Sequence, residues 1–128
     1  MSKDPRVYLA QILERIDRIL QYSAAGRDAF FADEKTQDAV IRNLEVIAKV
    51  IKRVPARYKK KHSNIAWRDL AGLLDILIYH YEGVSIRQVW QTVETELPPL
   101  RRTIAEILPP LDELERQIAG SNEPGTPG

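Results

Sequence analysis

Between Leu70 and Tyr81 the chain reads Leu-Ala-Gly-Leu-Leu-Asp-Ile-Leu-Ile-Tyr-His-Tyr, a helix-length run that is apolar almost all the way round. A stripe is buried by one neighbour, whereas a helix hydrophobic on every side must be covered on every side. A small bundle covers one or two faces of such a helix from within, so the leftover face is expected to meet a second subunit. Val46 and Val50 widen the apolar stripe of the preceding helix in the same way. On this reading the surface between subunits is built from Val46, Val50, Leu70, Leu73, Leu74, Leu77, Ile78 and Tyr81.

At 128 residues the chain is long enough for one domain with a real core and no covalent staples. It contains no Cys, which removes disulfides, thiol nucleophiles and Cys-based metal sites from consideration. Nineteen basic residues balance eighteen acidic ones, a net charge of +1, so no global field draws the chain to nucleic acid or to an anionic membrane. Met1-Ser-Lys-Asp-Pro has no apolar core of a signal peptide, and no apolar stretch reaches the length of a membrane span. A soluble, cytoplasmic protein is expected.

Helical periodicity accounts for nearly all of the remainder. Asp4-Pro5 opens the first helix, whose stripe is Leu9, Ile12, Leu13, Ile16, Ile19 and Leu20, with Gly26 as its stop. A short turn follows, in which Phe30 and Phe31 plug the end of the bundle. The second helix runs from about Glu34 to Arg53, capped by Asp33 and stopped by Pro55, with Val40, Ile41, Leu44, Ile47, Ala48 and Ile51 inward. The basic stretch Pro55 to Ala66 reads first as a solvated loop with one helical turn around Tyr58, and alternatively as a phosphate-contacting patch. The third helix is expected over Trp67 to Glu82, closed by Gly83, and the fourth from Ile86, capped by Ser85, to about Leu97.

Leu97-Pro98-Pro99-Leu100 returns eleven residues later as Leu108-Pro109-Pro110-Leu111, which predicts a long, bent C-terminal arm with the stripe Leu100, Ile104, Ile107, Leu111, Leu114 and Ile118. The domain is expected to span residues 1–119; residues 120–128 have no apolar content and are expected to be a disordered tail, natural or added. No strand pattern occurs. The fold class is all-α, an up-and-down bundle of four or five helices with a kinked C-terminal helix.

Chemistry is thinly encoded. His62 and His80 are the only imidazoles, too few for a three-histidine metal site in one chain, and no phosphate loop or nucleophile elbow is present. No metal and no cofactor is expected. Trp67 and Trp90 read as core anchors rather than ligand platforms.

The order Asp4-Pro5-Arg6-Val7-Tyr8-Leu9, Asp38-Ala39-Val40-Ile41-Arg42-Asn43-Leu44-Glu45, Ile65-Ala66-Trp67-Arg68-Asp69-Leu70-Ala71-Gly72, Tyr81-Glu82-Gly83-Val84 and Val89-Trp90 resembles the HepT branch of the HEPN superfamily. The resemblance covers the chain from Asp4 to about Leu114. It implies a small helical bundle that pairs as a homodimer and a ribonuclease toxin of a two-component toxin-antitoxin system. The implied partner is a minimal nucleotidyltransferase antitoxin that attaches AMP to a tyrosine.

The family motif is Arg, four residues, His, one residue, Tyr, late in the third helix. Counted from Trp67-Arg68-Asp69, Leu74 stands at the Arg position, Tyr79 at the His position and Tyr81 at the AMP-accepting Tyr position. The family's Gly-Glu pair in the second helix reads here as Ala48-Lys49. RNA cleavage without metal needs a base for the 2′-hydroxyl and a cation for the phosphorane, jobs the resemblance assigns to His and Arg. Leu74 does neither, and the Tyr79 phenol, with a reference pKa of about 10, is a poor base at neutral pH.

His80 and Lys49 are the available substitutes, but one residue along a helix is about 100° of rotation, which points His80 at a different neighbour. RNA is a partner only if such activity is retained. Three readings result: a dimerising module with its nuclease site dismantled, an active RNase using His80 and Lys49, or a scaffold rebuilt for a new interface, assembly or pocket. Within the third, a desolvated Lys49 between Tyr79 and Tyr81 would be a nucleophilic amine, against the plainer reading of a snorkelling interface Lys. His80 meeting its own copy across a two-fold axis would make a pH-sensitive contact.

Overall fold

Asp4 and Pro5 begin the first helix as their chemistry requires. The Asp4 carboxylate accepts the backbone N–H of Arg6 at 2.9 Å, and Pro5 takes the first helical position, where no N–H is needed. The computed structural model describes residues 4–79 and 85–122, the last three without side-chain detail.

Eight helices occur among them: α1 (Pro5–Tyr22), α2 (Arg27–Ala32), α3 (Glu34–Arg53), α4 (Ala56–Lys61), α5 (Trp67–Tyr79), α6 (Ile86–Thr95), α7 (Leu97–Ile107) and α8 (Leu111–Asn122). These are the five expected helices, the last split in two, plus two six-residue helices at the expected turn and loop. No strand occurs among the described residues, and the all-α bundle with a bent C-terminal arm is the fold.

The centre of the bundle is the α1–α3 pair. Leu9, Ile12, Ile16 and Ile19 meet Val40, Leu44, Ile47 and Ile51, all at most 1% exposed. Each such side chain contributes roughly 1.5–3 kcal/mol of hydrophobic stabilisation. Buried Asn43 is satisfied at both ends, donating to the Ala39 carbonyl at 2.8 Å and accepting from the Arg15 guanidinium at 3.2 Å. α5 packs chiefly on the far side of α3, and α7 lies against α1. The Arg101–Asp17 ion pair holds α7 to α1, and Arg6 donates to Gln117 of α8 at 2.7 Å.

Several local expectations shift. α1 ends at Tyr22, before Gly26, because the Ser23 hydroxyl donates to the Ile19 carbonyl at 2.7 Å and closes the last turn. Gly26, at φ 97°, then turns the chain into α2, a backbone conformation that side chains disfavour. Phe30 is the plug, buried against Trp90 with ring centroids 5.2 Å apart; Phe31 stays outside, under the Arg27 guanidinium. The first proline pair falls in the opening turn of α7, where missing N–H groups cost nothing. The second breaks the arm, with Leu108 extended and Leu111 half exposed rather than in the stripe. α8 runs to Asn122, three residues past the boundary expected at Ala119.

The cap of α1 yields an expected outcome. Hydrogen bonding from the Arg6 side chain, with its backbone N–H and charge, outweighs burial and holds the Asp4 carboxyl below the usual range. The folded state therefore binds its proton less readily than the unfolded chain, and the stabilisation is present above about pH 4 and lost as pH falls through the folded value. Asp4→Ala lowers stability by about 1 kcal/mol at pH 7. In urea titrations the deficit narrows at about pH 3; a deficit that stays constant would mean the carboxylate's charge is irrelevant to the cap.

Candidate functional site

α5 crosses α3 antiparallel, and its apolar run is divided by that contact. Trp67, Leu74 and Leu77 turn into the bundle, and the Trp67 indole N–H donates to the His62 carbonyl at 3.0 Å. Leu70, Leu73 and Ile78 are half-buried at the edges, while Gly72, Ile76 and Tyr79 face outward. Ile76 is 53% exposed and Tyr79 67%.

Burial divides the residues expected at the interface. Leu74, Leu77 and Val50 are enclosed by the chain's own helices and leave nothing for a second subunit to cover. Ile76, absent from the expectation, is the aliphatic residue that α5 presents outward. The reason is rotational: two residues on from Leu74 is about 200° around the helix, the opposite face. Val46, Leu70, Leu73 and Ile78 remain at the margin, half-buried. Tyr81 and His80 lie outside the described residues.

Leu74 and Tyr79, the positions at which the resemblance places Arg and His, thus have opposite environments, Leu74 in the core and Tyr79 at the surface. Tyr79 lines a groove of about 610 Å³ between α3, α5 and the start of α6, together with Asp38, Ile41, Glu45, Leu77, Ile78 and Ile86. Its floor is apolar and its described polar groups are one phenol and two carboxylates. No Lys, Arg or His lines it among the described residues.

Lys49 is not a desolvated amine. It is exposed, and its ammonium lies 3.2 Å from the Glu45 carboxylate one turn earlier. Hydrogen bonding from Lys49, aided by Arg42 at 3.4 Å, outweighs burial and holds the Glu45 carboxyl below its usual range. Lys49, read above both as a nucleophilic amine and as a replacement cation, is thereby paired with a carboxylate in either role.

A second polar link went unnoticed in the sequence. Lys52 of α3 donates to Asp75 of α5 at 2.9 Å, and this hydrogen bond raises the affinity of Lys52 for its proton, with Tyr79 adding a smaller electrostatic pull. Both groups are open to solvent, so the pair adds little to stability. Its role is to pin the α3–α5 crossing beside Tyr79. Asp38 and Glu45 were equally invisible, because a carboxylate on a helix reads as solvated until the neighbouring helix is placed.

Among the described residues no group of three or more His, Asp or Glu side chains is arranged to hold a metal ion. No helix among them is long and apolar enough to cross a membrane.

The structure is thus a small all-helical bundle in which Tyr79 of α5 stands beside an open groove between α3, α5 and the start of α6. The chain belongs to the HepT-like ribonuclease family, whose model matches residues 12–107. A Methanocaldococcus jannaschii protein named gamma-glutamylcyclotransferase and putative RNase is 39% identical over 114 residues, covering 88% of this chain and 51% of that protein. The chain therefore spans about half the length of that relative.

A Caldanaerobacter subterraneus protein named putative RNase is 35% identical over 107 residues, covering 83% of this chain and 96% of its own. A Thermococcus cleftensis protein named probable ribonuclease HepT is 38% identical over 102 residues, covering 79% and 93%. No solved structure matches the chain significantly.

Proposed function

We propose that this chain is a HepT-like homodimer that has lost RNA cleavage and acts as a dimerising interaction module. The observation that carries the loss of cleavage is the make-up of the groove: Tyr79 is accompanied by Asp38 and Glu45, and no cation lines it among the described residues. A phosphodiester entering there meets two carboxylates, and among the described residues that line the groove none is a cation to steady the charge that builds on phosphorus. Leu74, at the position where the resemblance places Arg, lies wholly inside the bundle.

Pairing is supported by the outward face of α5, where Ile76 and Tyr79 stand exposed between half-buried Leu73 and Ile78. Aliphatic and aromatic side chains grouped on one helix face are what a symmetric interface uses. A minimal nucleotidyltransferase is the partner class that the resemblance implies.

End-labelled single-stranded RNA incubated with the purified protein is expected to stay intact, with any cutting at least about a hundredfold slower than by an active family member, the typical cost of one missing catalytic group. Cleavage at a rate that drops in His80→Ala or Lys49→Ala protein would overturn the reading in favour of a relocated active site.

A further inference from the structure

Arg68, Gly72, Ile76 and Tyr79 follow one another along α5 at intervals of three and four residues, which makes them one stripe on its outward side. All four are exposed. The stripe has relief: Ile76 projects, whereas a Cβ added at Gly72, one turn away, would meet nothing within 4 Å.

Its two ends differ in charge. At the start of α5, Arg68 shares the surface with Arg53, Arg57, Lys60 and Lys61, all exposed and without an ion-pair partner among the described residues. At the far end Tyr79 opens the α3–α5–α6 groove, whose charged lining is Asp38 and Glu45. Lys49 and Arg42 engage Glu45, while Asp38 has no ion-pair partner among the described residues. Arg68 stands two turns before Asp75, which Lys52 of α3 holds, and therefore lies on the α3 flank of the stripe, the flank that Tyr79 also takes.

We propose that two copies of the chain lay these stripes antiparallel about a two-fold axis, each setting Ile76 over the other's Gly72 and Arg68 into the other's groove between Tyr79 and Asp38. This rests on the dimer reading above and gives it an orientation and a register. Ile76 opposite Gly72 puts the axis at the level of Leu74, midway between them. The same axis brings Tyr79 opposite Asp69 of the partner subunit, hence within one residue, about 1.5 Å of helix rise, of the partner's Arg68. A two-fold that turns two antiparallel helices face to face also keeps like flanks together, so the α3 side of one copy meets the α3 side of the other.

The register that fits the projecting side chain to the flat spot is thus the one that joins cation to carboxylate, at both ends of the pair. A parallel pairing would set Arg68 against Arg68. In the antiparallel one the guanidinium stacks on the Tyr79 ring and reaches the free carboxylate, both favourable for arginine. As the counter-ion of Asp38 it fills the groove rather than opening it to a phosphate.

Sedimentation equilibrium at about 150 mM salt tests the arrangement. Arg68→Glu and Asp38→Arg each put like charges together at both ends and are expected to weaken self-association by about thirtyfold or more. Mixed in equal amounts, the two variants are expected to associate within about threefold of the parent, because one of each presents opposite charges at both ends. Gly72→Leu is expected to weaken pairing at least about tenfold. In pairing-deficient Ile76→Asp protein the same substitution raises the melting temperature by about 2–4 °C, since leucine favours a helix over glycine, so a folding defect cannot imitate the loss.

A parent that pairs and is weakened by Ile76→Asp, yet is indifferent to Gly72→Leu or to the charge reversals, overturns the register and leaves the dimer standing. So do charge variants that stay apart when mixed. A parent that never self-associates overturns both.

Discussion

Leu74→Arg lowers the stability of the folded chain by about 3–5 kcal/mol, the scale of a charge left buried without a partner. Leu74 has no exposed surface and faces the bundle. A guanidinium there must either stay in the apolar interior or force α5 away from α3 to reach water. The nearest carboxylate in sequence, Asp75, is already engaged by Lys52. Against a typical stability of about 5–15 kcal/mol the loss is severe, and the melting temperature is expected to fall by more than about 10 °C.

Leu74→Met, which conserves volume, costs less than about 1.5 kcal/mol. Tyr79→His, at a surface position, stays within about 0.5 kcal/mol. Calorimetry on the three variants separates the cases. A Leu74→Arg protein melting within about 2 °C of the parent would show that α5 can rotate this position outward. The two positions at which the resemblance places His and Arg are therefore expected to differ: Tyr79→His at little cost in folding, Leu74→Arg at a large one.

Ile76→Asp is expected to weaken self-association by about thirtyfold or more, about 2 kcal/mol, while leaving the fold of each chain intact. Ile76 is 53% exposed, so the substitution exchanges one solvated side chain for another in the isolated chain and acts only where the face is covered. Leu111→Asp supplies the control, since Leu111 is 50% exposed on α8, away from α5. Sedimentation equilibrium measures both. A parent that remains monomeric at about 100 μM, or equal weakening by both substitutions, would rule out α5 as the interface and with it the dimer proposed above.

The bounds of α3 were legible to the residue because both ends are decided locally. The Asp33 carboxylate accepts the Lys35 N–H at 3.0 Å at one end, and Pro55 follows extended Val54 at the other. The facing of α5 was not legible. A run apolar on all sides has length but no phase, and whether Leu74 or Ile76 is inside is decided by α3 rather than by the run itself. The resemblance implies Leu74 and Tyr79 as the motif positions, yet carries no information on their burial. The groove carboxylates and the Lys52–Asp75 link join residues far apart in the chain, and nothing in the local pattern of either partner marks them.

The break at Leu108-Pro109-Pro110 has a mechanical consequence. Hydrogen bonding stops at the Leu108 N–H, which closes on Ile104, and resumes with Leu114 closing on Pro110, so nothing on the backbone ladder couples α7 to α8. α8 is held to α1 by buried Leu114, half-buried Ile118 and the Arg6–Gln117 hydrogen bond. Its twelve residues can peel away as a unit without unwinding α7, so the undocking of this helix is a sub-global opening that leaves the α1–α3 core intact.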